Sequence, residues 1–486
     1  MGAYAQRGQV VNLPIVFGDG RSRTDFDWIT RLPENMLAIA RQIKGGNGYM
    51  RMMPGLKKVA DVAGLSRGSD WNTVSNSAYR VMGGKLYNAG VEVGDVNGED
   101  RTPMAHSRDS QGVVTGNQLL LYRYDGTRKT FSNWPLDSGT GVNNPQFTWG
   151  DINDVCHLRQ RYIFSVKNSD TFWISSLEDE SHPDKIAPFY RAESMPDGIV
   201  AIRAWRDYVI CFGTASIEFF GLTGDAQNVY ANQPSYTVEA GTLGRETVCQ
   251  YLNSFAFLTS PFVGEYTIAL MNPGGGDWSD LASVQVKKIL AGYTVAQLQQ
   301  TRLEAISFES HKLLIVHLPD QTLVYDHPVS QAQGLPVWTI IKTGVQNASG
   351  PHRAIDYVNE GNRVTVGDKT LAVLGAFDMT TCAQYGADQE IVLYTPLMPF
   401  TGMMLSDFEI DASVGGDSVT SRMWISATED GSVFGQEILI DYNTPQQWLK
   451  RVILHKVGRC RTVIGFKIRT VGATPATLSR ARVRVS

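Results

Sequence analysis

The stretch "YVICFGTASIEFFGLTGD" (208–225) decides the fold. Two runs of mostly apolar residues, rich in aromatic and β-branched side chains, flank the small polar segment "GTAS". The second run leads into "GLTGD", whose glycine and aspartate are typical of a turn. This pattern predicts a β-hairpin, followed by a turn into the next part of the chain.

The same hairpin pattern recurs about seven times along the chain. Its starts fall roughly 34 to 57 residues apart and average near 48, about the length of one four-stranded propeller blade. The other six examples are "YRVMGGKLYNAG" (79–90), "VVTGNQLLLYRYDG" (113–126), "YIFSVKNSDTFWISSLED" (162–179), "AFLTSPFVGEYTIALM" (256–271), "LLIVHLPDQTLVYDH" (313–327) and "VTVGDKTLAVLG" (364–375).

A hairpin buries only one face and is marginal alone, whereas sheets packed radially around an axis cover one another and leave only short edges. We therefore predict an all-β chain whose residues 59–387 form a β-propeller-like domain of six or seven blades. A β-helix would need shorter and stricter repeats. A doubly wound α/β fold would need helices of 10–15 residues between the strands.

Two further regions flank the repeats. Residues 1–58 read as an N-terminal arm, with a short helix over "RLPENMLAIARQI" (31–43), and 286–306 could hold one or two helices with Thr294 as a cap. Residues 388–486 alternate with period two and predict a C-terminal antiparallel β-sandwich. We expect a fragment of about 388–486 to fold alone if it is a complete sandwich.

The composition excludes several classes of protein. Apolar residues make up 43% of 486 residues, which allows a large core. No window approaches 18 consecutive apolar residues, so no membrane-spanning segment is predicted. The five cysteines are far apart and form no C-x-x-C, which argues against a disulfide framework or a zinc cluster.

Two short motifs suggest chemistry. "LEDESHPD" (177–184) gathers four carboxylates around His182, and a catalytic or metal site has to be weighed there against a polar loop connecting blades. "GLSRG" (64–68) matches the nucleophile motif G-x-S-x-G with Ser66, but that mechanism needs a strand-to-helix elbow, and a turn between blades fits better. We predict no catalytic, cofactor-binding or metal-binding residues and no cofactor.

Several segments also carry a family resemblance. "LEDESHPDKIAPFYRAESMPDGI" (177–199), "WRDYVICFGTASIEFFGLTGD" (205–225) and "VGRCRTVIGFKIRTV" (457–471) resemble the tail hub proteins of short-tailed bacteriophages, described as packaged-DNA stabilisation proteins. "RLPENMLAIARQIKGGNGYMRMMPGL" (31–56), "SAYRVMGGKLYNAGVEVGDVNG" (77–98) and "YRYDGTRKTFSNWP" (122–135) match as well. The resemblance covers roughly residues 25–484 but not residues 1–20 or the loop 137–150.

The resemblance implies a structural role in the virion tail for a protein made in the host cytoplasm. Such hubs form a six-fold ring of neighbouring subunits below the head-to-tail adaptor protein, hold the tail needle or plug, and work beside a tailspike or receptor-binding fibre. They help retain packaged DNA, which passes through the lumen without sequence-specific binding. The family implies no enzyme. The alternative is a carbohydrate-binding or carbohydrate-cleaving β-propeller, whose central funnel should combine carboxylates and aromatic rings.

Charge is distributed unevenly along the chain. From Pro445 onward there are ten Lys or Arg and no Asp or Glu, while residues 1–444 carry a net charge of −14. The cations could protect strand edges or bind DNA, but we favour a protein partner, because a conduit that must release DNA is poorly served by strong phosphate contacts. The predicted partner interface comprises Lys450, Arg451, Arg459, Arg461, Lys467 and Arg469.

Overall fold

The structure is a computed structural model that describes residues 9–15, 20–23, 28–41, 48–136, 144–262, 264–416 and 420–485. These residues form an all-β protein, as predicted, with three short α-helices. The chain begins with β1 (Val10–Leu13), β2 (Gly20–Arg23), β3 (Trp28–Arg31), β4 (Met36–Ile39), β5 (Tyr49–Met52) and β6 (Gly55–Asp61).

Seven antiparallel sheets follow, and they are the blades of a propeller. Blade 1 contains β7 (Ser66–Asn72), β8 (Ser77–Met82), β9 (Lys85–Asn88) and β10 (Val91–Asp95). Blade 2 contains β11 (Met104–His106), β12 (Ser110–Thr115), β13 (Gln118–Arg123) and β14 (Arg128–Thr130). Blade 3 contains β15 (Ile152–Leu158), β16 (Arg161–Val166), β17 (Thr171–Ile174) and β18 (Phe189–Arg191). Blade 4 contains β19 (Ala201–Trp205), β20 (Tyr208–Phe212), β21 (Ile217–Leu222) and β22 (Tyr230–Asn232).

Blade 5 follows the same plan, and the last two blades depart from it slightly. Blade 5 contains β23 (Val248–Tyr251), β24 (Ser254–Phe262), β25 (Glu265–Met271) and β26 (Trp278–Asp280). Blade 6 has five strands, β27 (Arg302–Phe308), β28 (His311–His317), β29 (Thr322–Asp326), β30 (Trp338–Thr343) and β31 (Gly350–Pro351). Blade 7 contains β32 (Ala354–Glu360), β33 (Arg363–Asp368) and β34 (Val373–Asp378), and its fourth strand is β6 from the beginning of the chain.

Each of the seven hairpins in the sequence is the central hairpin of one blade, from β8–β9 in blade 1 to β33–β34 in blade 7. These are the strands buried between neighbouring blades, which is why their sequences are the most apolar. Contacts between the first strands of successive blades, including β32 with β7, close the ring. The described residues therefore contain seven blades.

The three α-helices are short: two lie in the connection from blade 5 to blade 6, and the third lies between β29 and β30 within blade 6. They are α1 (Val284–Leu290), α2 (Val295–Gln299) and α3 (His327–Gln333). The predicted cap at Thr294 is confirmed, because its hydroxyl accepts a hydrogen bond from the backbone N–H of Gln297. None of the described helices is long and apolar enough to cross a membrane.

The C-terminal residues form two sheets that pack face to face. Their strands are β35 (Gln389–Tyr394), β36 (Met398–Pro399), β37 (Met404–Ala412), β38 (Ser421–Thr428), β39 (Ile438–Asn443), β40 (Val452–Arg459), β41 (Val463–Gly472) and β42 (Thr477–Val485). One sheet has the order β35-β41-β38-β39, and the other contains β37, β40 and β42. The rings of Phe408 and Phe466 stack between the sheets with centroids 4.0 Å apart. The β-sandwich is confirmed.

The N-terminal arm differs from its prediction, because β1, β4 and β5 extend the sandwich sheet through β42. The helix expected over residues 31–43 is wrong: residues 36–39 form a strand, and residues 42 and 43 lie outside the described part. Met36 and Ala38 pack in the sandwich core, while Leu37 packs in a propeller core. A strand can bury both faces against two domains in this way, since successive side chains point to opposite sides.

The propeller is thus inserted into the sandwich. The backbone N–H of Gly55, where the chain enters the propeller, lies 2.8 Å from the carbonyl oxygen of Thr381, where the chain leaves it. The chain builds three strands of the sandwich, forms seven blades, and returns to finish the sandwich. The predicted domain limits at 58/59 and 387/388 remain a proposal.

Candidate functional site

The acidic loop "LEDESHPD" lies between β17 and β18 within blade 3, not between two blades. Its carboxylates diverge, and each has its own partner. Glu178 accepts from Lys185 (2.6 Å), Asp179 from Lys129 (2.7 Å), Glu180 from Ser110 (2.6 Å) and Asp184 from Arg161 (2.7 Å). Because Lys129 and Ser110 belong to blade 2, the loop cross-links two blades.

The imidazole of His182 is turned away from those carboxylates. Its Nδ1 lies 2.9 Å from the carbonyl oxygen of Ser132, and its ring packs against Trp134 with centroids 4.5 Å apart. Burial opposes ionisation of Asp179, but Lys129 and Ser181 hold the pKa of that carboxyl well below its usual range. Nowhere in the described chain do three or more His, Cys, Asp or Glu side chains gather in a way that could hold a metal ion. The geometry is that of a structural loop.

Ser66 lies at the start of β7, in the connection from blade 7 to blade 1. Its side chain is buried, and its Oγ donates to Oδ2 of Asp356 at 2.6 Å. The motif enters a strand instead of a strand-to-helix elbow, so it lacks the geometry of a nucleophile.

Ser66 belongs to a charged cluster near the propeller axis, which we call the axial cluster. Its centre is Asp356 on β32, which is fully buried. Arg101 donates to both oxygens of Asp356 (3.0 and 2.5 Å), and Arg302 donates to Oδ1 (2.6 Å). The main-chain N–H of Asp356 donates to Glu304 at 3.1 Å. One carboxylate therefore ties blades 1, 6 and 7 together.

Glu246 is the second carboxylate of the axial cluster. Arg302 and Arg245 both donate to it, and Arg101 lies 4.0 Å away. Burial alone would raise the pKa of Glu246, but Arg302, Arg101 and Arg245 lower it to about 2. Burial would also raise the pKa of Glu304, but Arg302 and His317 outweigh it and lower that pKa.

These carboxyls are poor candidates for sugar cleavage. A glycosidase needs one carboxylic acid whose pKa is raised so that it can protonate the leaving group. Glu246, Glu304 and Asp356 all have lowered pKa values because arginines surround them. The cluster is built to stay ionised, which suits cross-linking of blades and not proton transfer.

The low pKa of Glu246 predicts a pH dependence of stability. A carboxyl whose pKa falls on folding stabilises the protein above its unfolded pKa, and this stabilisation is lost as pH falls toward the folded pKa. A fall of the Glu246 pKa from about 4.5 in the unfolded chain to about 2 in the folded protein corresponds to a stabilisation on the order of 3 kcal/mol. In urea unfolding, Glu246→Gln should be less stable than wild type at pH 6, and the gap should shrink between pH 5 and pH 3.

Glu309→Gln is the matched control, because that carboxylate is half-exposed and, among the described residues, pairs only with Arg51. Its unfolding free energy should follow that of wild type at every pH. If the difference in unfolding free energy between wild type and Glu246→Gln stays constant down to pH 3, the lowered pKa of Glu246 is contradicted.

The predicted basic interface lies in the sandwich, and its residues do not form one patch. Lys450 and Arg451 lie before β40, and Arg459 and Arg461 lie at its other end, roughly 25 Å away at 3.3 Å per residue. The side chain of Arg469 on β41 is only 7% exposed.

Acidic residues on neighbouring strands pair with most of these cations. Arg469 binds Glu437 (2.5 Å) and Glu390 (3.3 Å) and lies over the ring of Trp424, so its charge is used inside the chain. Lys467 also contacts Glu437, and Arg451 makes an exposed pair with Glu409. Arg461 is 87% exposed and 3.9 Å from Glu429, while Arg459 forms no ion pair with the described residues. The interface stays a prediction, with Arg451, Arg459 and Arg461 as its accessible members.

An exposed apolar tip that was not predicted from the sequence lies beside Lys450. In the loop 444–451, Trp448 is 66% and Leu449 is 95% exposed. Turn hydrogen bonds from Gln447 to Thr444 (3.2 Å) and from Lys450 to Gln447 (3.2 Å) hold the loop. The sequence signal for this exposed tip is the pair of large apolar residues, Trp448 and Leu449, that follows the polar run "NTPQQ". We call this feature the 444–451 loop.

Comparison with protein families finds two matches that follow the two domains. A profile described as "Bacteriophage P22 Gp10, beta-propeller" matches residues 11–382. A second, described as "Bacteriophage P22 Gp10, beta-sandwich", matches residues 390–486. The tail hub protein gp10 of Salmonella phage P22 is 42% identical over 479 residues, which covers 98% of this chain and 99% of that protein.

Two solved structures are distantly similar to this chain. The extracellular domain of the putative hybrid two component system BT4673 of B. thetaiotaomicron is 8% identical, with a TM-score of 0.42, over 73% of this chain and 43% of that one. An exo-beta-1,3-galactanase of Phanerochaete chrysosporium is 11% identical, with a TM-score of 0.30, over 79% of this chain and 95% of that one. Structural similarity at this level gives no evidence about function.

Proposed function

Because the chain belongs to the family of the P22 tail hub protein gp10, matched in both its propeller and its sandwich, we propose that it works as the hub at the base of a short phage tail. It is a structural component of the virion tail. Identity of 42% along nearly the whole length of both proteins is the observation that carries this assignment.

The proposal extends to the assembly around the hub. Six copies form a ring on the head-to-tail adaptor protein, hold the needle or plug, contact the tailspike or receptor-binding fibre, help retain packaged DNA, and surround part of the ejection conduit. Electron microscopy of the purified protein mixed with its adaptor ring tests this directly. A six-fold ring of hub density below the adaptor is expected, and a protein that leaves the adaptor bare contradicts the proposal.

We propose no catalytic activity. Two features of the described residues support this: the acidic loop is tied into blade packing, and the axial carboxyls have lowered pKa values. Hydrolysis of oligosaccharides by the purified protein, lost on Glu246→Gln, would favour the carbohydrate-cleaving alternative.

The 444–451 loop is the surface we propose for docking on the adaptor. Trp448 and Leu449 form an exposed apolar tip, and Lys450 and Arg451 place positive charge beside it. Tryptophan in particular is enriched among residues that dominate interface energies, and flanking charges mainly set specificity and association rate. An acidic groove with an apolar floor is the complementary partner surface.

Replacing Trp448 with alanine and Leu449 with serine together should leave the subunit folded but prevent it from joining the adaptor. Loss of one hot-spot side chain costs about 2 kcal/mol or more, so the adaptor affinity should fall at least about thirtyfold if one of the two is a hot spot and roughly a thousandfold if both are. Pull-down on the adaptor ring measures binding, and thermal unfolding checks the fold. Val91→Ser is the control, because Val91 is 70% exposed on blade 1.

The same assay decides whether the other end of β40 takes part. Reversal of Arg459 and Arg461 to glutamate should slow docking, with the greatest effect at low salt, because screening weakens charge attraction between surfaces. Arg469 is left intact, since its buried pairs stabilise the fold. If the reversed protein assembles normally while the particles leak DNA, these cations act in the conduit and not in docking.

A further inference from the structure

A cavity of about 250 Å³ lies beside the axial cluster, near the start of β27 in blade 6 and of β32 in blade 7. Its walls include three cations, Arg101, Arg302 and Lys369, and one carboxylate, Glu246. His317 and the apolar residues Leu318, Pro319, Pro351 and Ile355 complete most of the lining. The lining therefore carries more positive than negative charge.

Lys369 differs from the two lining arginines, which contact carboxylates directly. It forms no ion pair with any residue that the structure describes, and its Nζ lies 2.9 Å from Nδ1 of His317. The opposite nitrogen of that ring lies 2.8 Å from Glu304. The imidazole thus accepts from Lys369 and donates to Glu304, which fixes the ammonium at the cavity wall.

Burial lowers the pKa of Lys369 to about 8; Glu304 and Asp356 act in the opposite direction, while Arg302 and Arg101 add to the lowering. The ammonium is still mostly protonated at neutral pH. Loss of water is the main cause of the lowered pKa, and the nearby carboxylates do not fully offset it, so an anion in the cavity would stabilise the ammonium further.

Two hydrogen-bond donors in the same walls also lack acceptors. The Nε atoms of Arg101 and Arg302 are buried and have no hydrogen-bond partner within the described chain. Buried N–H groups without a partner are rare, and each one requires an explanation such as a bound water or ion. Both belong to residues that line the cavity, although the Nε atoms of Arg80, Arg123 and Arg482 elsewhere in the described chain are buried without a partner as well.

We propose that the cavity between blades 6 and 7 binds a small inorganic oxyanion of the phosphate class, with Lys369 as its main charge partner. A tetrahedral oxyanion offers several acceptors to donors that converge from different directions. The cavity is below the usual range of about 300–1,000 Å³ for drug-sized ligands, so its volume suits an ion and not a nucleic-acid strand. This proposal does not depend on the tail hub assignment.

Calorimetric titration of the full-length protein with inorganic phosphate, at ionic strength held constant with chloride, tests the site. Saturable binding of one phosphate per chain is expected, together with a rise in melting temperature that follows its occupancy. Lys369→Met should weaken phosphate binding at least tenfold. Because Lys369 makes no ion pair with the described residues, this variant should remain folded, and its own melting curve verifies that.

Lys58→Met is the matched control, because Lys58 is half-exposed on β6 and pairs only with the exposed Asp61. It should bind phosphate as wild type does. Equal phosphate binding by Lys369→Met and wild type would overturn the site. A melting shift that chloride reproduces at the same ionic strength would also overturn it, by showing general screening. Acetate binding as tight as phosphate binding would overturn the phosphate class in favour of a carboxylate ligand.

Discussion

Replacing Asp356 with asparagine is expected to destabilise the propeller by about 3–5 kcal/mol, because it leaves buried charges without their counter-ion. The carboxylate of Asp356 is fully buried between Arg101 and Arg302 and also accepts from Ser66. Asparagine keeps the size of the side chain, and it tolerates the left-handed backbone at this position, where φ is 57°. The change therefore isolates the loss of charge.

Chemical unfolding followed by tryptophan fluorescence measures this effect. Asp207→Asn makes the same chemical change at an exposed pair with Arg159 and should stay within about 1 kcal/mol of wild type. If Asp356→Asn is as stable as Asp207→Asn, the axial cluster contributes little to the closure of the ring.

The second large effect concerns the sandwich. A fragment of residues 388–486 should fail to fold alone, which reverses the expectation from the sequence. The N-terminal region contributes buried side chains to the sandwich core, namely Leu13, Ile15, Met36, Ala38, Met50 and Met52. The five larger ones contribute about 1.5–3 kcal/mol each, a total comparable to the net stability of about 5–15 kcal/mol of a whole domain.

A redesigned fragment should recover the fold. Residues 9–54 joined to residues 381–486 by a few glycines and serines would restore the missing strands, since Gly55 and Thr381 are adjacent in the structure. In this fragment the propeller core would no longer cover Leu37. Leu37→Thr would therefore make the newly exposed face of β4 polar. Circular dichroism and cooperative thermal unfolding compare the two fragments. A cooperatively folded 388–486 fragment would show that the N-terminal strands are dispensable.

The amino-acid sequence by itself determined the local elements of this protein. The recurring hairpins predicted a propeller of six or seven blades because alternation, turn residues and apolar content are all encoded within about 15 consecutive residues. The same local signals identified the sandwich strands and the cap at Thr294. The family resemblance, carried by long segments, likewise needed no coordinates.

Contacts between distant residues were decided only by the tertiary structure. Residues 36–39 form a strand because Met36 and Leu37 are buried by different domains, a constraint that no local window contains. The axial cluster brings together Ser66, Arg101 and Asp356, which are up to 290 residues apart. The pairing of Arg469 with Glu437 and Glu390 likewise depends on the fold, because these residues are up to 79 residues apart in the chain. Sequence specifies which charges a chain carries, but burial and pairing, which set their energies, depend on what the fold places beside them.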